Sequence, residues 1–103
     1  MRLVRAVYGA LFYFMFRKEF YIVETRIAIV GIIVENPDSV EALNRLLHEY
    51  AHAIIGRMGI PCRERSINVI SLVLDAKQDE ISALSGKIGA LDGITTKTTY
   101  SKM

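Results

Sequence analysis

The chain has 103 residues, a length that corresponds to one domain. Hydrophobic residues make up 51% of the sequence, which is typical of a short globular chain that hides part of its apolar area against a partner. The formal net charge of +2 is too small to indicate a dedicated nucleic-acid surface, so we expect no direct nucleic-acid binding. Cys62 is the single cysteine, which excludes an internal disulfide framework and favours a reducing, cytoplasmic compartment.

Residues 1–23 differ in composition from the rest and are predicted to form an N-terminal extension outside the domain. Arg2 and Arg5 precede an apolar run at 6–16, as in a secretory signal, but no small-residue cleavage site follows. The run is also far shorter than the roughly 20 residues of a membrane-spanning helix. We therefore expect no membrane contact and interpret the extension as a packed segment or a non-native leader. The alternative is a membrane-associated accessory protein anchored by residues 1–22.

From residue 24 onward, the hydrophobic pattern alternates between strand and helix periods in a regular order. The continuous β-branched run at 26–35 predicts a buried strand. A turn follows, and Asp38 or Ser39 is placed to cap a helix. The other predicted elements are a helix at about 40–55 ended by Gly56 and Gly59, a short polar strand at 60–65, an apolar strand at 66–76, a helix at 77–91 and a polar strand at 94–102.

This order of elements, β-α-β-β-α-β, predicts an α+β domain at 24–103 with the ferredoxin-like sandwich fold. The two apolar strands belong in the centre of an antiparallel sheet and the two polar strands at its edges, which gives the strand order 4-1-3-2. The central strands are apolar on both faces, whereas the two helices cover only one face. We expect a second copy of the chain to cover the other face, as a dimer or tetramer. The rival cover is the chain's own segment 1–22.

The stretch HEYAH at 48–52 matches H-E-x-x-H, the pattern of zinc peptidases in which two histidines hold the metal and the glutamate activates water. On a helical wheel, however, His48 and His52 lie on the flank or the wet side of the predicted helix, and no third ligand has a supporting motif. A zinc hydrolase using His48, Glu49 and His52 is therefore an alternative that we do not favour. A metal-binding sensor using His48 and His52, with Cys62 as a further weak candidate, is the second alternative. Our prediction is that no metal is bound.

Two glycine-containing stretches are candidates for anion binding. Ser85-Gly86-Lys87 resembles part of a phosphate loop, but no glycine lies at the required distance before it and Ile88 takes the Ser/Thr place. Gly86 and Gly89 more simply predict close packing of the second helix on a neighbour. Arg57 or Lys87 is a candidate contact for an anionic effector. No motif indicates a cofactor.

Several stretches together resemble the iron-only hydrogenase system regulator family, which consists of short ACT-like proteins similar to the C-terminal sensory domain of the nickel-responsive repressor. The resemblance covers about residues 24–102 and is most specific in Gly-Arg-Met-Gly-Ile-Pro and Leu-Ser-Gly-Lys-Ile-Gly. The other stretches are IAIVGIIVEN, LHEYAHAIIGRMGIP, INVISLVLDA, DEISALSGKIGALDGI and KTTYSK.

The resemblance implies a homo-oligomeric, non-enzymatic regulatory module of the cytoplasm, a transcriptional regulator type without its own DNA-binding domain. Residues 1–22 resemble neither a ribbon-helix-helix nor a helix-turn-helix. His48 and His52 do not reproduce the repressor's His-x-His spacing, and the family commonly has an acid at the place of His52. A small-molecule effector would bind at a subunit interface, either at the first strand–helix turn (Asn36, Pro37, Asp38) or on the second helix (Ser85, Gly86, Lys87).

Overall fold

A computed structural model describes residues 24–102, and the predicted extension at 1–23 lies outside the described residues. The described part contains the expected elements in the expected order. They are β1 (Arg26–Val34), α1 (Val40–Glu49), β2 (Ile54–Cys62), β3 (Ile67–Ala76), α2 (Gln78–Gly89) and β4 (Ile94–Tyr100).

The four strands of the described part form one antiparallel sheet in the order β2-β3-β1-β4. This order confirms the predicted arrangement, and with two helices on one face the domain has the ferredoxin-like, ACT-like α+β fold. The two apolar strands, β1 and β3, lie in the centre of the sheet, where each pairs with a strand on both sides. In their register, Val30 lies opposite Leu72 and Ile29 opposite Val73.

The core lies between the sheet and the helices. The central strands contribute four completely buried side chains, Val30, Ile32, Leu72 and Leu74. Their neighbours along each strand point away, since side chains alternate across a strand. The helices contribute buried residues three or four positions apart, which places them on one helix face. These are Leu43 and Leu47 from α1 and Ile81, Leu84 and Ile88 from α2.

Side-chain hydrogen bonds hold the start of α1 against the turn before β4. Asn36 Oδ1 accepts from the Asp38 amide at 3.0 Å, and Asn36 Nδ2 donates to Asp92 at 2.9 Å. The Ser39 hydroxyl donates to the Asp92 carbonyl at 2.6 Å instead of capping the helix. Ser39 is therefore the N-cap residue of α1, as one of the two predicted, but its side chain makes no capping hydrogen bond. Asn36 does the capping, one turn earlier, on the 3-10 turn Pro37–Ser39.

The boundary between α1 and β2 also differs from the prediction. The helix was expected to continue to about 55, but it ends at Glu49 and is followed by the 3-10 turn Ala51–Ala53. The second strand begins at Ile54 and ends at Cys62, while the predicted strand residues 63–65 form another 3-10 turn. The reason is tertiary, because the backbone from Ile54 onward pairs with β3.

Within residues 24–102, no helix has the length and apolar character needed to cross a bilayer.

Candidate functional site

The face of the sheet opposite the helices is apolar, and we call it the open face. Its exposed members include Ile29 at 50%, Ile33 at 42%, Met58 at 60% and Ile60 at 52% relative exposure. The strand register places these side chains on the same side of the sheet as three half-buried residues of β3. The full apolar set is Ile27, Ile29, Ile33, Met58, Ile60, Ile67, Val69 and Val73.

The side chains at the centre of the open face are smaller than those around them. One row of paired residues crosses the sheet from Met58 through Ser71 and Gly31 to Lys97. The small Ser71 and Gly31 lie between larger isoleucines and valines on either side. Towards β4 the face becomes polar, with Thr95 and Thr99. An apolar surface of this kind provides packing area.

The first candidate effector site, Asn36, Pro37 and Asp38, lies at the turn between β1 and α1 as expected. The Asn36 side chain already has partners within the chain. Asn36 bonds both the Asp38 amide and the Asp92 carboxylate, which are its capping and bridging contacts. These three residues therefore have a structural role in the single chain, and effector binding there stays a prediction.

The second candidate site, Ser85, Gly86 and Lys87, lies on α2 and does not come together with the first. The Ser85 hydroxyl is 2.9 Å from the Thr98 hydroxyl, and Lys87 Nζ donates to the Tyr50 hydroxyl at 2.9 Å. This hydrogen bond raises the pKa of Lys87 above its ordinary value of 10.5. Tyr50 follows α1 whereas Asn36 precedes it, so about 15 Å of helix separates the two contacts.

The two glycines of this stretch have different surroundings. A Cβ atom on Gly89 would lie 3.4 Å from the Thr96 side chain, which agrees with the predicted close packing. A Cβ atom on Gly86 would meet nothing within 4 Å among the described atoms, so close packing there is not needed within one chain.

The HExxH residues are split between two elements. His48 lies in the last turn of α1, whereas His52 lies in the following 3-10 turn. His52 pairs with Glu80 of α2 and its ring stacks on Tyr50 with centroids 6.3 Å apart. The expected single helix that would present both histidines one turn apart is therefore absent, and the zincin geometry with it.

Cys62 lies at the far end of β2, about 26 Å along the strand from Ile54, which is too far to share a ligand sphere with the histidines. In the described part of the chain, no three histidine, cysteine, aspartate or glutamate side chains are grouped so that they could hold a metal ion.

A groove between α1 and β2 was not found by sequence reasoning. Arg57 on β2 donates to Asn44 Oδ1 on α1 at 3.1 Å, and this bond crosses the groove. Arg57 was a candidate from its charge, but Asn44 was not, because only the sheet pairing brings it opposite β2. The recurring Gly56 and Gly59 around Arg57 were the available signal, since glycine in a strand often marks an open approach to the backbone.

Comparison with known proteins agrees with this fold and with the motifs along it. A family model named TM1266-like, with the description "Iron-only hydrogenase system regulator, putative", matches residues 26–98. The solved structure of the uncharacterized protein TM1266 from Thermotoga maritima is 39% identical to this chain, covers 77% of it and 100% of its own length, and superposes with a TM-score of 0.74. The chain belongs to the TM1266-like family. The family match begins at Arg26, the first residue of β1, and ends within β4.

Two more distant structures share the fold of this TM1266-like protein. An unknown protein from Galdieria sulphuraria is 15% identical, with a TM-score of 0.53 over 78% of this chain and 47% of its own. A homoserine dehydrogenase from Thiobacillus denitrificans is 18% identical, with a TM-score of 0.52 over 76% of this chain and 17% of its own. At these identities the likeness concerns the fold alone. Among curated proteins, none matches the chain.

Proposed function

We propose that this TM1266-like chain is a non-enzymatic regulatory module that acts as a homo-oligomer, a dimer or tetramer held together through the open face. The observation that carries the proposal is the exposure of large apolar side chains on a sheet whose other face buries the apolar side chains of the two central strands. Ile29, Met58 and Ile60 are each at least half exposed, while Val30, Leu72 and Leu74 beneath them are completely buried.

The energetic argument follows from the exposed area. Burying a whole isoleucine side chain stabilises a protein by about 1.5–3 kcal/mol, so each half-exposed isoleucine leaves about 1 kcal/mol unused. Several such residues on one face leave several kcal/mol per chain. A second copy presents the same face and gains the same free energy, which favours symmetric association.

The family description supports regulation as the biological role. We propose that the module works in the cytoplasm and influences transcription without contacting DNA directly. An effector would act by binding one assembly state better than another, because a ligand shifts an equilibrium only by its difference in affinity. Effector contacts at Asn36–Asp38 or Ser85–Lys87 would then depend on what a neighbouring subunit adds to them.

Light scattering coupled to size-exclusion chromatography tests the assembly. The full chain and a chain beginning at Glu24 are compared at matched concentration. We expect both to have the mass of a dimer or tetramer. A monomeric full chain together with an oligomeric shortened chain would show that segment 1–22 covers the open face instead. Monomers in both cases would overturn the proposal.

A further inference from the structure

The groove between α1 and β2 is a concave site formed by one chain alone. One compartment has a volume of about 290 Å³ and an apolar lining that includes Val40, Leu43, Gly59, Pro61 and Ile70. A second compartment, of about 410 Å³, extends towards the end of α1 beside His48. Both compartments share Asn44 and Arg57, so the hydrogen bond between these residues marks the boundary.

Arg57 has charge that the described chain does not neutralise. Its guanidinium bonds the neutral Asn44, whereas Arg45 pairs with Glu41 and Arg26 lies over the Tyr100 ring and donates to the Ser101 carbonyl. Among residues 24–102, no carboxylate forms an ion pair with Arg57. The Asn44 bond also fixes the guanidinium at the mouth of the apolar compartment, where its remaining N–H groups form a planar fork suited to a carboxylate.

We propose that this groove binds a small monocarboxylate with a short branched apolar chain. The carboxylate would lie on Arg57, and the chain would enter the compartment between Leu43, Pro61 and Ile70. A compartment of about 290 Å³ lies at the small end of ligand pockets, which span roughly 300–1,000 Å³. A short branched aliphatic acid fits this size.

The lining also predicts which carboxylates are preferred. The described residues around both compartments include no aspartate or glutamate, so an ammonium group next to the carboxylate would gain no anionic partner and would lie close to the positive Arg57. A simple branched acid should therefore bind better than the amino acid with the same side chain.

The groove takes Val40, Leu43 and Asn44 from α1, whereas Ile60 and Val69 of the open face line its other side. All of these residues belong to one chain, so binding and oligomer formation can be measured separately. Only the claim that the bound acid acts as an effector rests on the proposed regulatory function, because an effector must change the assembly when it binds.

An NMR titration of the full chain with 4-methylpentanoate tests the site. A ligand of this size is expected to bind with a Kd of about 1 mM, so the titration extends to about 20 mM. We expect saturable shifts of the Asn44, Arg57 and Gly59 amides. Leucine and the neutral 4-methylpentanamide should bind at least about tenfold more weakly, since one brings an unpaired ammonium and the other lacks the charge.

Three variants make the test specific. Arg57→Gln keeps a donor for Asn44 but removes the charge, and should raise the Kd at least about tenfold. Gly59→Val fills the compartment, and it should fold because a Cβ atom there meets nothing within 4 Å. Arg45→Gln is the matched control on the outer side of α1 and should leave the Kd unchanged.

The inference is overturned if 4-methylpentanoate causes no saturable shifts, if leucine or the amide binds equally well, or if Arg57→Gln binds as the wild type does. Thermal melting of each variant confirms folding. The molar mass of the same samples is measured separately: absent binding with an intact oligomer overturns the groove inference alone, whereas binding to a monomer overturns the proposed assembly alone.

Discussion

Gly93 closes the turn between α2 and β4 with a backbone conformation that other residues adopt only under strain. Its φ is +68°, and a Cβ atom there would lie 2.4 Å from the Asn36 Cβ. This close approach allows Glu35 N to donate to the Gly93 carbonyl at 2.8 Å and keeps Asp92 beside Asn36 and Ser39. One glycine thus permits the contacts that hold the start of α1.

We predict that Gly93→Ala destabilises the domain by about 2 kcal/mol or more, because it combines left-handed backbone strain with a steric clash. For a domain of this size, this corresponds to a decrease in Tm of about 8 °C or more. Gly86→Ala is the matched control, since Gly86 lies within a helix beside open space. It should stabilise the domain by about 0.5–1 kcal/mol. Equal effects of the two substitutions on thermal melting would contradict this account of the turn.

The contact between Lys87 and Tyr50 predicts a pH effect with a defined sign. The hydrogen bond from the Lys87 ammonium to Tyr50 raises the pKa of Lys87 above 10.5. Its contribution to stability is therefore complete below pH 10.5 and is lost as the pH rises through the pKa of the folded state. In Tyr50→Phe, we expect the pKa of Lys87 to decrease. Titration of ¹³C-labelled lysine side chains measures this, and an unchanged Lys87 pKa in the variant would contradict it.

At the scale of elements, the end of α1 decides how the HExxH stretch is interpreted. Leu43, Leu47, Ala51 and Ile54 have helical spacing, which predicted one helix through residue 55. In the structure, α1 ends at Glu49, and Ile54 packs on the core from the first position of β2. The same apolar residue thus serves the core from a strand, and the spacing could not distinguish the two arrangements.

This boundary predicts that the chain has no zinc site formed by His48 and His52. The two histidines do not share a helix face, and His52 already pairs with Glu80. We expect equimolar zinc to leave the Tm unchanged, and His48→Ala to have the same metal content as the wild type by elemental analysis. A rise in Tm with zinc that is lost in both His48→Ala and His52→Ala would contradict this and favour the metal-sensor alternative.

Sequence reasoning succeeded for the elements and the sheet, and less well for the sites. The runs 26–35 and 66–76 carry apolar residues on both faces of a strand, which is the pattern of a central strand. The hydrogen bond between Asn44 and Arg57 joins a polar residue of α1 to a charged residue of β2. No local pattern marks such a pair, since it arises from the position of β2 at the sheet edge. The predicted effector residues were found at their expected elements, but their internal hydrogen bonds were not foreseeable.

For the whole molecule, the decisive feature is one layer of helices on a sheet that is apolar on both sides. On the helix side, α1 and α2 bury the apolar side chains that β1 turns towards them, which are Ala28, Val30, Ile32 and Val34. On the other side, Ile27, Ile29 and Ile33 lie exposed within the described part of the chain. Contiguous exposed apolar surfaces are typical of sites that bind another protein, a membrane or a ligand, and we propose the first for this face. The proposed regulatory function depends on this face being covered by another copy.

Sedimentation velocity of the full chain carrying Ile29→Lys tests this claim most directly, with Ala83→Lys on the exposed side of α2 as the charge-matched control. Ile29 lies within the open face, and a charge there cannot be buried against a second apolar face without a large cost. We predict that Ile29→Lys is a folded monomer while the wild type and Ala83→Lys remain oligomers. An oligomer of unchanged mass in folded Ile29→Lys, or a wild-type chain that is monomeric at every concentration, would contradict the account.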